Sequence, residues 1–454
     1  MLLKEIDYFN DIFPAYPHQK QLFEAFFGGN YRFFVDNIHR RGGKDATFFS
    51  LAWLFASMER GNYLYTLPKI GQAKNVIWEG TDLEGRRWID LIPKHLLARE
   101  PNQTERKIYF TSGSMLHVTG ADSILGAHLG SNLRGLFMSE FQRTAPNIWD
   151  YLRPIIKRNP KGFAAFNYTS FGQCHAHRLR TANIDNPQWF TRKLTVNDTR
   201  DNNGNYIFSP EQVEEERRSG MDEDLIQQEY YCDDSVAVKG TYFAEQMQKA
   251  RAEGRIVKNL QVYPGKPVHT SWDIGSRDTN SIWLFQVAGT GESQEFRYLK
   301  QYDANYQDIP HYIKFLNDQQ KLLGFSQYGH HFMPHDVSQV EWTSQKTRRV
   351  KLLEAGLKVT PVPMLRVIER VQVARSNLHR CIFDEDGCKN GIDALETSRA
   401  KYDEKLKAFS ADEVHDWASH PSAAFQYGHV GWMDSYNKTQ LAQQRQYAKY
   451  RPMS

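Results

Sequence analysis

The sequence predicts an α/β protein built from two cores with a more polar segment between them. At 454 residues the chain is too long for one ordinary hydrophobic core. Strand-like apolar runs alternate with helical patterns over the first part of the chain, and a second series of strand-like runs begins after Gly265. We therefore expect a first core at residues 1–180, a linker or lid subdomain at 181–262 and a second core at 263–454.

Composition narrows the class of protein. The net charge is only +4 and no basic tail is present, so any contact with nucleic acid must come from local patches. No run approaches the ~18 apolar residues that a membrane span needs, and the N-terminus lacks the basic start of a signal peptide. The four scattered cysteines fit reduced thiols in a cytosol. We expect a soluble protein that stays inside a cell.

The first core is organised around a strand, a glycine turn and a helix. Tyr31–Val35 has the aromatic and β-branched character of a buried strand, and Ala46–Ala56 has the length and apolar recurrence of a helix. Backbone N–H groups and the helix dipole at such a helix N-terminus favour a bound anion, and a loop lysine reaches the outer phosphates. The sequence thus predicts a P-loop NTPase sheet whose ATP-binding loop contains Arg40, Arg41, Gly42, Gly43, Lys44 and Asp45.

This loop departs from the usual GxxxxGK[ST] pattern in two places. Its first glycine position falls on Ile38, and the residue after the lysine is Asp45 rather than a hydroxyl residue. The later strand Leu133–Glu140 ends in Ser139-Glu140 where Asp-Glu is usual. We therefore expect Asp45 and Ser139 to exchange roles around Mg²⁺, one giving the charge and the other the hydroxyl. Glu140 is the candidate base that orients water, or else a solvated glutamate at a strand end.

Two other segments carry weaker signals. Gln19, in a helix just upstream of the loop, can read adenine through its amide, or is an exposed helical glutamine. The run Gly162–Ser170 reads as a buried strand that ends in hydroxyl residues. Strand-end hydroxyls near a γ-phosphate can sense hydrolysis, although the run by itself is a core strand followed by a turn.

The second core is predicted from three consecutive strand-like runs, PVHTSWDIG, SIWLFQVAG and EFRYLKQYD, which are followed by helical patterns. This is the order of an RNase H-like fold. Asp273 lies centrally in the first strand, Asp303 ends the third, and Asp336 ends a further short strand, FMPHD. Two Mg²⁺ or Mn²⁺ ions need several carboxylates from separate strands. Each aspartate alone could be a turn residue, but together they predict a metal-dependent nuclease site.

Basic residues follow these acids and predict contacts with DNA phosphates, although a solvated helix face explains them nearly as well. They are Lys346, Arg348, Arg349 and Lys351, and then Arg366, Arg370 and Arg375 near helical spacing.

The motifs HRRGGKD, YTLPKIGQAKNVIW, MSE and YTSFG resemble the ATPase half of the large terminase subunit of tailed phages. WDIG, PHD and HDWASHPSAAFQY resemble its nuclease half. The resemblance implies an additional-strand P-loop motor that uses ATP with Mg²⁺ to drive double-stranded DNA into a procapsid, with Thr169 and Ser170 as the coupling motif. It also implies a small terminase subunit and a portal protein as partners, a ring of subunits on the portal, and the cytoplasm of a bacterial host.

One position departs from that resemblance. The C-terminal pattern of the group reads roughly HDWASHxADAFRY, and its aspartate falls here on Ala423. Either Asp416 takes its place, or cleavage is weakened or lost. Two other functions therefore stay open, an ATP-driven DNA repair or recombination nuclease and a nuclease-dead ATP-binding assembly factor.

Overall fold

The structure is a computed structural model. The chain divides into two compact units, Met1–Val238 and Lys239–Ser454. It describes residues 15–82, 85–124, 132–234, 240–274, 279–290, 293–305, 307–338, 347–354, 356–403 and 408–449.

The strands are β1 Phe33–Ile38, β2 Asn62–Leu67, β3 Lys107–Tyr109, β4 Met115–Gly120, β5 Leu133–Met138, β6 Phe163–Tyr168, β7 Trp189–Leu194, β8 Ile256–Val257, β9 Val268–Asp273, β10 Thr279–Ala288, β11 Glu295–Asn305, β12 Tyr328–Met333, β13 Val359–Pro361, β14 Cys381–Asp384, β15 Ala400–Asp403 and β16 Ala408–Glu413. The helices are α1 Pro17–Phe27, α2 Lys44–Met58, α3 Ile70–Ala73, α4 Ile148–Arg158, α5 His175–Thr181, α6 Pro210–Arg218, α7 Glu223–Glu229, α8 Ala244–Ala252, α9 Ile309–Leu323, α10 Arg348–Glu354, α11 Val367–Asn377, α12 Lys389–Thr397 and α13 Ser419–Lys449.

The sheet of the first unit has the order β3-β4-β2-β5-β6-β1-β7. All neighbours in it are parallel except β3 and β4. Parallel strands are covered on both faces, which explains why β1, β5 and β6 read as nearly continuous apolar runs. Because β6 lies between β1 and β5, the loop after β1 and the acidic end of β5 reach the same edge of the sheet, one strand apart.

Helix α2 packs against one face of this sheet. It is apolar on almost every side, and ten of its residues, from Thr47 to Ala56, are buried. Phe26, Phe34, Phe137 and Trp53 belong to the same hydrophobic cluster. The N-terminus of α2 is thereby held rigidly at the edge where β1, β5 and β6 end.

The sheet of the second unit has the order β13-β12-β9-β10-β11-β14-β8. Strands β9, β10 and β11 are antiparallel neighbours, and β12 runs parallel to β9. Helix α13 packs on this sheet, where Trp283 Nε1 donates a hydrogen bond of 2.8 Å to the carbonyl of Pro421. Phe285, Tyr298 and Phe425 complete this side of the core.

The predicted fold class is confirmed: the chain is α/β, with a mostly parallel first sheet and a second sheet that has three antiparallel neighbours, β9, β10 and β11, at its centre. The first strand was placed too early, since β1 starts at Phe33. The proposed lid at 181–262 stays a prediction. Within that range β7 joins the first sheet and β8 joins the second.

Three placements of acids were wrong in detail. Asp303 does not end β11, because that strand continues to Asn305. Asp273 is the last residue of β9 and does not lie centrally in it. Asp336 does not end a strand: β12 ends at Met333, and Asp336 lies in the 3₁₀ turn His335–Ser338. Pro334, between the two, has no N–H group with which to continue the strand ladder.

No helix in the described part of the chain is long and apolar enough to cross a membrane.

Candidate functional site

The loop between β1 and α2 has the conformation of an anion-binding turn. Gly43 is the N-cap of α2 with φ +78°, and Arg41 also has a positive φ of 70°. At Gly42 a Cβ atom would lie 2.3 Å from Cγ2 of Ile38, so the turn leaves no room for a side chain there. The N–H groups of the first helical turn have no partner within the helix, so they are donors for an anion at this end.

Lys44 and Glu140 form an ion pair across this edge of the sheet. Their Nζ and Oε1 atoms are 2.8 Å apart, and the side chains are 12% and 21% exposed. Burial lowers the pKa of Lys44, but the carboxylates of Glu140 and Asp45 outweigh it and raise that pKa. Burial also opposes the charge on Glu140, yet Lys44 and then Arg143 lower the pKa of Glu140 to about 2. Glu140 therefore stays ionised as long as Lys44 is its partner.

Asp45 and Ser139, predicted to share a cation, are brought together. The Ser139 hydroxyl donates a hydrogen bond to the Asp45 carboxylate. Burial is the main cause that raises the pKa of Asp45, and the charge of Lys44 opposes it. One carboxylate and one hydroxyl oxygen thus lie side by side at the N-terminus of α2, and both are hard oxygen ligands of the kind that Mg²⁺ prefers.

Sequence reasoning missed Asn167, which lies in β6 between the loop strand β1 and the acidic end of β5. Its Oδ1 accepts the Glu140 N–H at 3.1 Å and lies 3.1 Å from Ser139 Oγ. Asn167 is fully buried. Its signal was present in the sequence: an amide between Phe166 and Tyr168 in an apolar strand is costly unless it binds something.

The remaining residues predicted for the first site lie around it with partners of their own. Gln19 is buried, and its Oε1 accepts the N–H of Tyr16 at 2.8 Å as part of the start of α1. Its Nε2 faces Gly43, 2.8 Å from where a Cβ would be. The Arg40 and Arg41 side chains are exposed, and the Arg40 N–H donates to the carbonyl of Glu229 at 2.7 Å.

The two hydroxyl residues after β6 are buried at the same edge. Thr169 is 6% exposed and Ser170 is 1% exposed. Ser170 Oγ accepts a hydrogen bond of 2.9 Å from Nδ2 of Asn37, in β1. Ser170 thus contacts the strand that leads into the loop, and the coupling role of both residues stays a prediction.

In the second unit, two of the three predicted aspartates lie in one row across the sheet. Asp273 in β9 pairs with Ser281 in β10, and Ser281 pairs with Asp303 in β11. Directly paired residues of antiparallel strands project from the same face, so both carboxylates lie on that face of the sheet. Asp273 Oδ2 is 2.7 Å from His420 Nδ1, in the first turn of α13.

Asp303 lies in a nest of amide groups. Gln301 Nε2 donates to its Oδ1 at 2.6 Å, and Asn390 Nδ2, from α12, donates to its Oδ2. Burial is the main influence and raises the pKa of Asp303 to about 6, although the hydrogen bonds from Ser281 and Gln301 oppose it. No basic side chain forms an ion pair with this carboxylate among the described residues.

Glu413, the last residue of β16, is a second residue that sequence reasoning missed. Burial raises its pKa to about 8; Arg370 lowers it, and the charges of Asp273 and Asp416 raise it further. Its Oε1 is buried without a hydrogen-bond partner in the described part of the chain. In sequence, Glu413 lies in an acidic stretch, ADEVHD, that reads as a solvated loop, so only the fold reveals its burial.

Asp416 has its carboxylate engaged on both oxygens. Oδ2 is 3.0 Å from an Arg399 guanidinium nitrogen, and Oδ1 accepts the Ala418 N–H at 3.0 Å at the start of α13. Ala423 is buried in that helix at 8% exposure. That Asp416 substitutes for an acid at position 423 stays a prediction. Both carboxylate oxygens of Asp416 have partners, whereas Oε1 of Glu413 has no hydrogen-bond partner among the described residues.

Several predicted residues lie outside what the structure describes. Lys346 and the side chains of Asp336 and Arg348 are among them. Arg349 is exposed and Lys351 is half-buried in α10. Within the described residues, no three His, Cys, Asp or Glu side chains are placed closely enough together to hold a metal ion.

No family model matches the chain, and no curated protein matches it. Among solved structures, it is similar to the large terminase of a thermophilic bacteriophage, with 14% identity, a TM-score of 0.38 and coverage of 88% of this chain and 94% of that one. It is also similar to the large terminase of bacteriophage HK97, with 10% identity, a TM-score of 0.41 and coverage of 92% and 95%.

A third similar structure is the ATPase domain of the large terminase of Thermus phage P74-26. The identity is 16%, the TM-score is 0.39, and coverage is 50% of this chain and 97% of that one. Identities and TM-scores this low do not assign a function, so the function proposed below rests on the residues of this chain.

Proposed function

We propose that this chain is the large subunit of a viral DNA-packaging terminase, an ATP-driven motor for double-stranded DNA with an attached metal-dependent endonuclease. The observation that carries the proposal is the meeting of two pairs at the N-terminus of α2, Lys44 with Glu140 and Asp45 with Ser139. A phosphate-binding turn with a lysine, two metal-ligating oxygens and a carboxylate is the set of groups that phosphoryl transfer requires.

The residues of the first site fit ATP with Mg²⁺. Gly42 has no room for a side chain and Gly43 has a positive φ, so glycine suits both positions and no Cβ atom of this turn stands between its backbone and a phosphate. Lys44 is placed to neutralise the outer phosphates, while the oxygens of Asp45 and Ser139 would hold Mg²⁺. Bound Mg·ATP supplies the phosphoanhydride bond and the charge of the cation.

The ion pair of Lys44 and Glu140 links binding to chemistry. A phosphate oxygen that takes Lys44 competes directly with Glu140, whose pKa is held at about 2 chiefly by that lysine against the effect of burial. When Lys44 turns to the phosphate, the Glu140 carboxylate loses its strongest partner and becomes a better proton acceptor. Glu140 is then able to orient the attacking water. Binding of the nucleotide at the loop thereby activates Glu140.

The second unit would carry the endonuclease. The carboxylates of Asp273 and Asp303 lie on one face of the sheet. Oε1 of Glu413, which has no hydrogen-bond partner among the described residues, fits a ligand for a hard cation. A bound divalent cation supplies Lewis acid chemistry at a phosphodiester. Asn390 and Gln301 hold Asp303 in place, and His420 holds Asp273. We propose Mg²⁺ or Mn²⁺ here, with Glu413 contributing the carboxylate that position 423 lacks.

The sequence motifs support the finer parts of the proposal. They imply that duplex DNA is moved into a procapsid, with a small terminase subunit and a portal protein as partners and a ring of subunits on the portal. Arg349 and Lys351 in α10 offer positive charge for DNA phosphates.

The test measures ATP turnover by the purified full-length chain with and without duplex DNA, followed by nicking of plasmid in Mn²⁺. We expect Mg²⁺-dependent turnover that duplex DNA stimulates, metal-dependent nicking, and movement along intact duplex. Strand separation on forked DNA would instead favour a repair nuclease. ATP binding without turnover or nicking would overturn the proposal in favour of an assembly factor.

A further inference from the structure

Resting on the proposed ATPase, we propose that Asn167 is a positioning residue for ATP hydrolysis, which fixes the backbone from which the Glu140 carboxylate projects. Asn167 lies in β6, the middle strand of the site, and belongs neither to the loop nor to the acidic strand end.

The backbone of Glu140 is in a conformation that needs support. Its φ is 53°, in the left-handed region that non-glycine residues seldom adopt. Such conformations persist where the surroundings hold them, and they concentrate at functional sites. The N–H of Glu140 donates to Asn167 Oδ1 at 3.1 Å, and its carbonyl accepts the Arg143 N–H at 2.9 Å. Asn167 therefore holds one side of the strained residue, and a short turn holds the other.

The same oxygen also lies next to the proposed metal ligands. Asn167 Oδ1 is 3.1 Å from Ser139 Oγ, and Ser139 in turn contacts Asp45. One amide thus sets the relative positions of the proposed base and of the hydroxyl beside Mg²⁺. The orientation of the amide follows from Glu140, because a backbone N–H requires an acceptor and only Oδ1 can be one.

The other end of the amide shows that Asn167 does more than complete the fold. Nδ2 of Asn167 is buried and has no hydrogen-bond partner among the residues that the structure describes. A buried donor without a partner reduces stability, and an apolar residue of the same shape in β6 would avoid that loss. Phe166 and Tyr168, the neighbours of Asn167 in β6, belong to the hydrophobic cluster on one face of the sheet. Successive residues of a strand point to opposite faces, so Asn167 points to the other face, where Phe34, Ala165 and α2 form a separate cluster. Asp36 of β1 pairs in register with Asn167 there. This face is where the nucleotide would bind.

The test replaces Asn167 by Ala and, to keep the volume of the side chain, by Leu, in the full-length chain. We expect kcat for ATP in the presence of duplex DNA to fall about 10²-fold, because a displaced general base loses most of its effect. Binding of a fluorescent ATP analogue should change by less than about 3-fold, because the loop and Lys44 are untouched. Thermal unfolding verifies that each variant is folded, and the Leu variant serves if the Ala variant is not.

A double-mutant cycle shows whether Asn167 acts through Glu140. In a Glu140→Gln background, Asn167→Ala should lower the residual turnover by less than about 2-fold, since the group that it positions is already disabled. The control is Asn159→Ala, because Nδ2 of Asn159 donates to the carbonyl of Leu133 at 3.1 Å, at the opposite end of the same strand β5. We expect its kcat to equal that of the wild type.

Three results would overturn the inference while leaving the ATPase in place: unchanged kcat in the folded Asn167 variants, loss of analogue binding in step with kcat, or full additivity with Glu140→Gln. If the wild-type chain itself turns over no ATP, the proposed function fails and this inference fails with it.

Discussion

The two candidate sites differ in how their acids are balanced. In the first unit, each carboxylate has a dedicated neighbour: Glu140 has Lys44, and Asp45 has Ser139. In the second unit, Asp303 and Glu413 are partly buried, and this burial is the main cause that raises their pKa values to about 6 and about 8. The first site carries its own cation, a lysine that a phosphate can capture. In the second, burial favours the protonated forms of Asp303 and Glu413, and a divalent cation from solution would displace those protons.

The largest expected effect on ATP turnover comes from replacing Lys44, the cation that balances the carboxylates of the first site. Lys44→Ala should lower ATP turnover by about 10³-fold, because it removes the positive charge at the outer phosphates. Steady-state turnover with duplex DNA measures this. The control is Lys249→Ala, which removes a lysine from an exposed ion pair with Glu245 and should leave turnover unchanged. If Lys44→Ala kept its turnover, the lysine would not be needed for activity, and this difference between the two sites would have no functional meaning.

A smaller loss, and a recovery, are expected from the pair beside the proposed Mg²⁺. Asp45→Ser should lower Mg·ATP hydrolysis by about 10²-fold, because it removes the carboxylate that would hold the cation. Combining Asp45→Ser with Ser139→Asp should restore part of the activity, because it returns one carboxylate and one hydroxyl to the same two positions. A double variant no better than Asp45→Ser would show that the two residues do not share a cation.

The corresponding change in the second site is Glu413→Gln. It should weaken Mn²⁺ binding by about 10-fold, measured calorimetrically, and slow plasmid nicking by a similar factor, because a neutral amide replaces an anionic ligand. Asp412→Asn is the matched control, since Asp412 is the exposed neighbour on the same strand. Equal effects of the two substitutions would mean that only net charge matters here.

The smallest effect is on stability as pH changes. The pKa of Glu413 is raised from 4.5 to about 8, so the folded chain holds a proton that the unfolded chain has already lost in this window. Its contribution to stability is therefore complete below about pH 4.5 and falls as pH rises towards 8. With metal chelated, denaturant midpoints should decrease across this window, and less so in Glu413→Gln. Identical pH profiles for the two proteins would contradict the buried, protonated state of Glu413.

Sequence was sufficient where a site is continuous in the chain or ends a strand. The loop from Arg40 to Asp45 and the pair Ser139-Glu140 could be predicted because apolar runs mark the strands and the polar residues follow at once. Three consecutive strand-like runs with an aspartate in the first and in the third likewise predicted that Asp273 and Asp303 come together from separate strands, and they lie in one row across the sheet.

Sequence failed where function depends on burial or on contacts between distant residues. Asn167 looks like one residue of a core strand, and its importance comes from contacts with Ser139 and Glu140, nearly thirty residues earlier. Glu413 looks solvated until the fold buries it beside Asp273, in a strand far away in sequence. Asp336 was assigned to a strand that Pro334 in fact ends.

The most direct measurement is ATP turnover set against ATP binding in Glu140→Gln. If Glu140 is released from Lys44 by the phosphate and then orients water, this full-length variant should bind a fluorescent ATP analogue at least as tightly as the wild type, since the phosphate no longer competes with a carboxylate for Lys44. Its turnover should be at least about 10²-fold slower. Turnover equal to that of the wild type, or loss of binding together with turnover, would contradict the account.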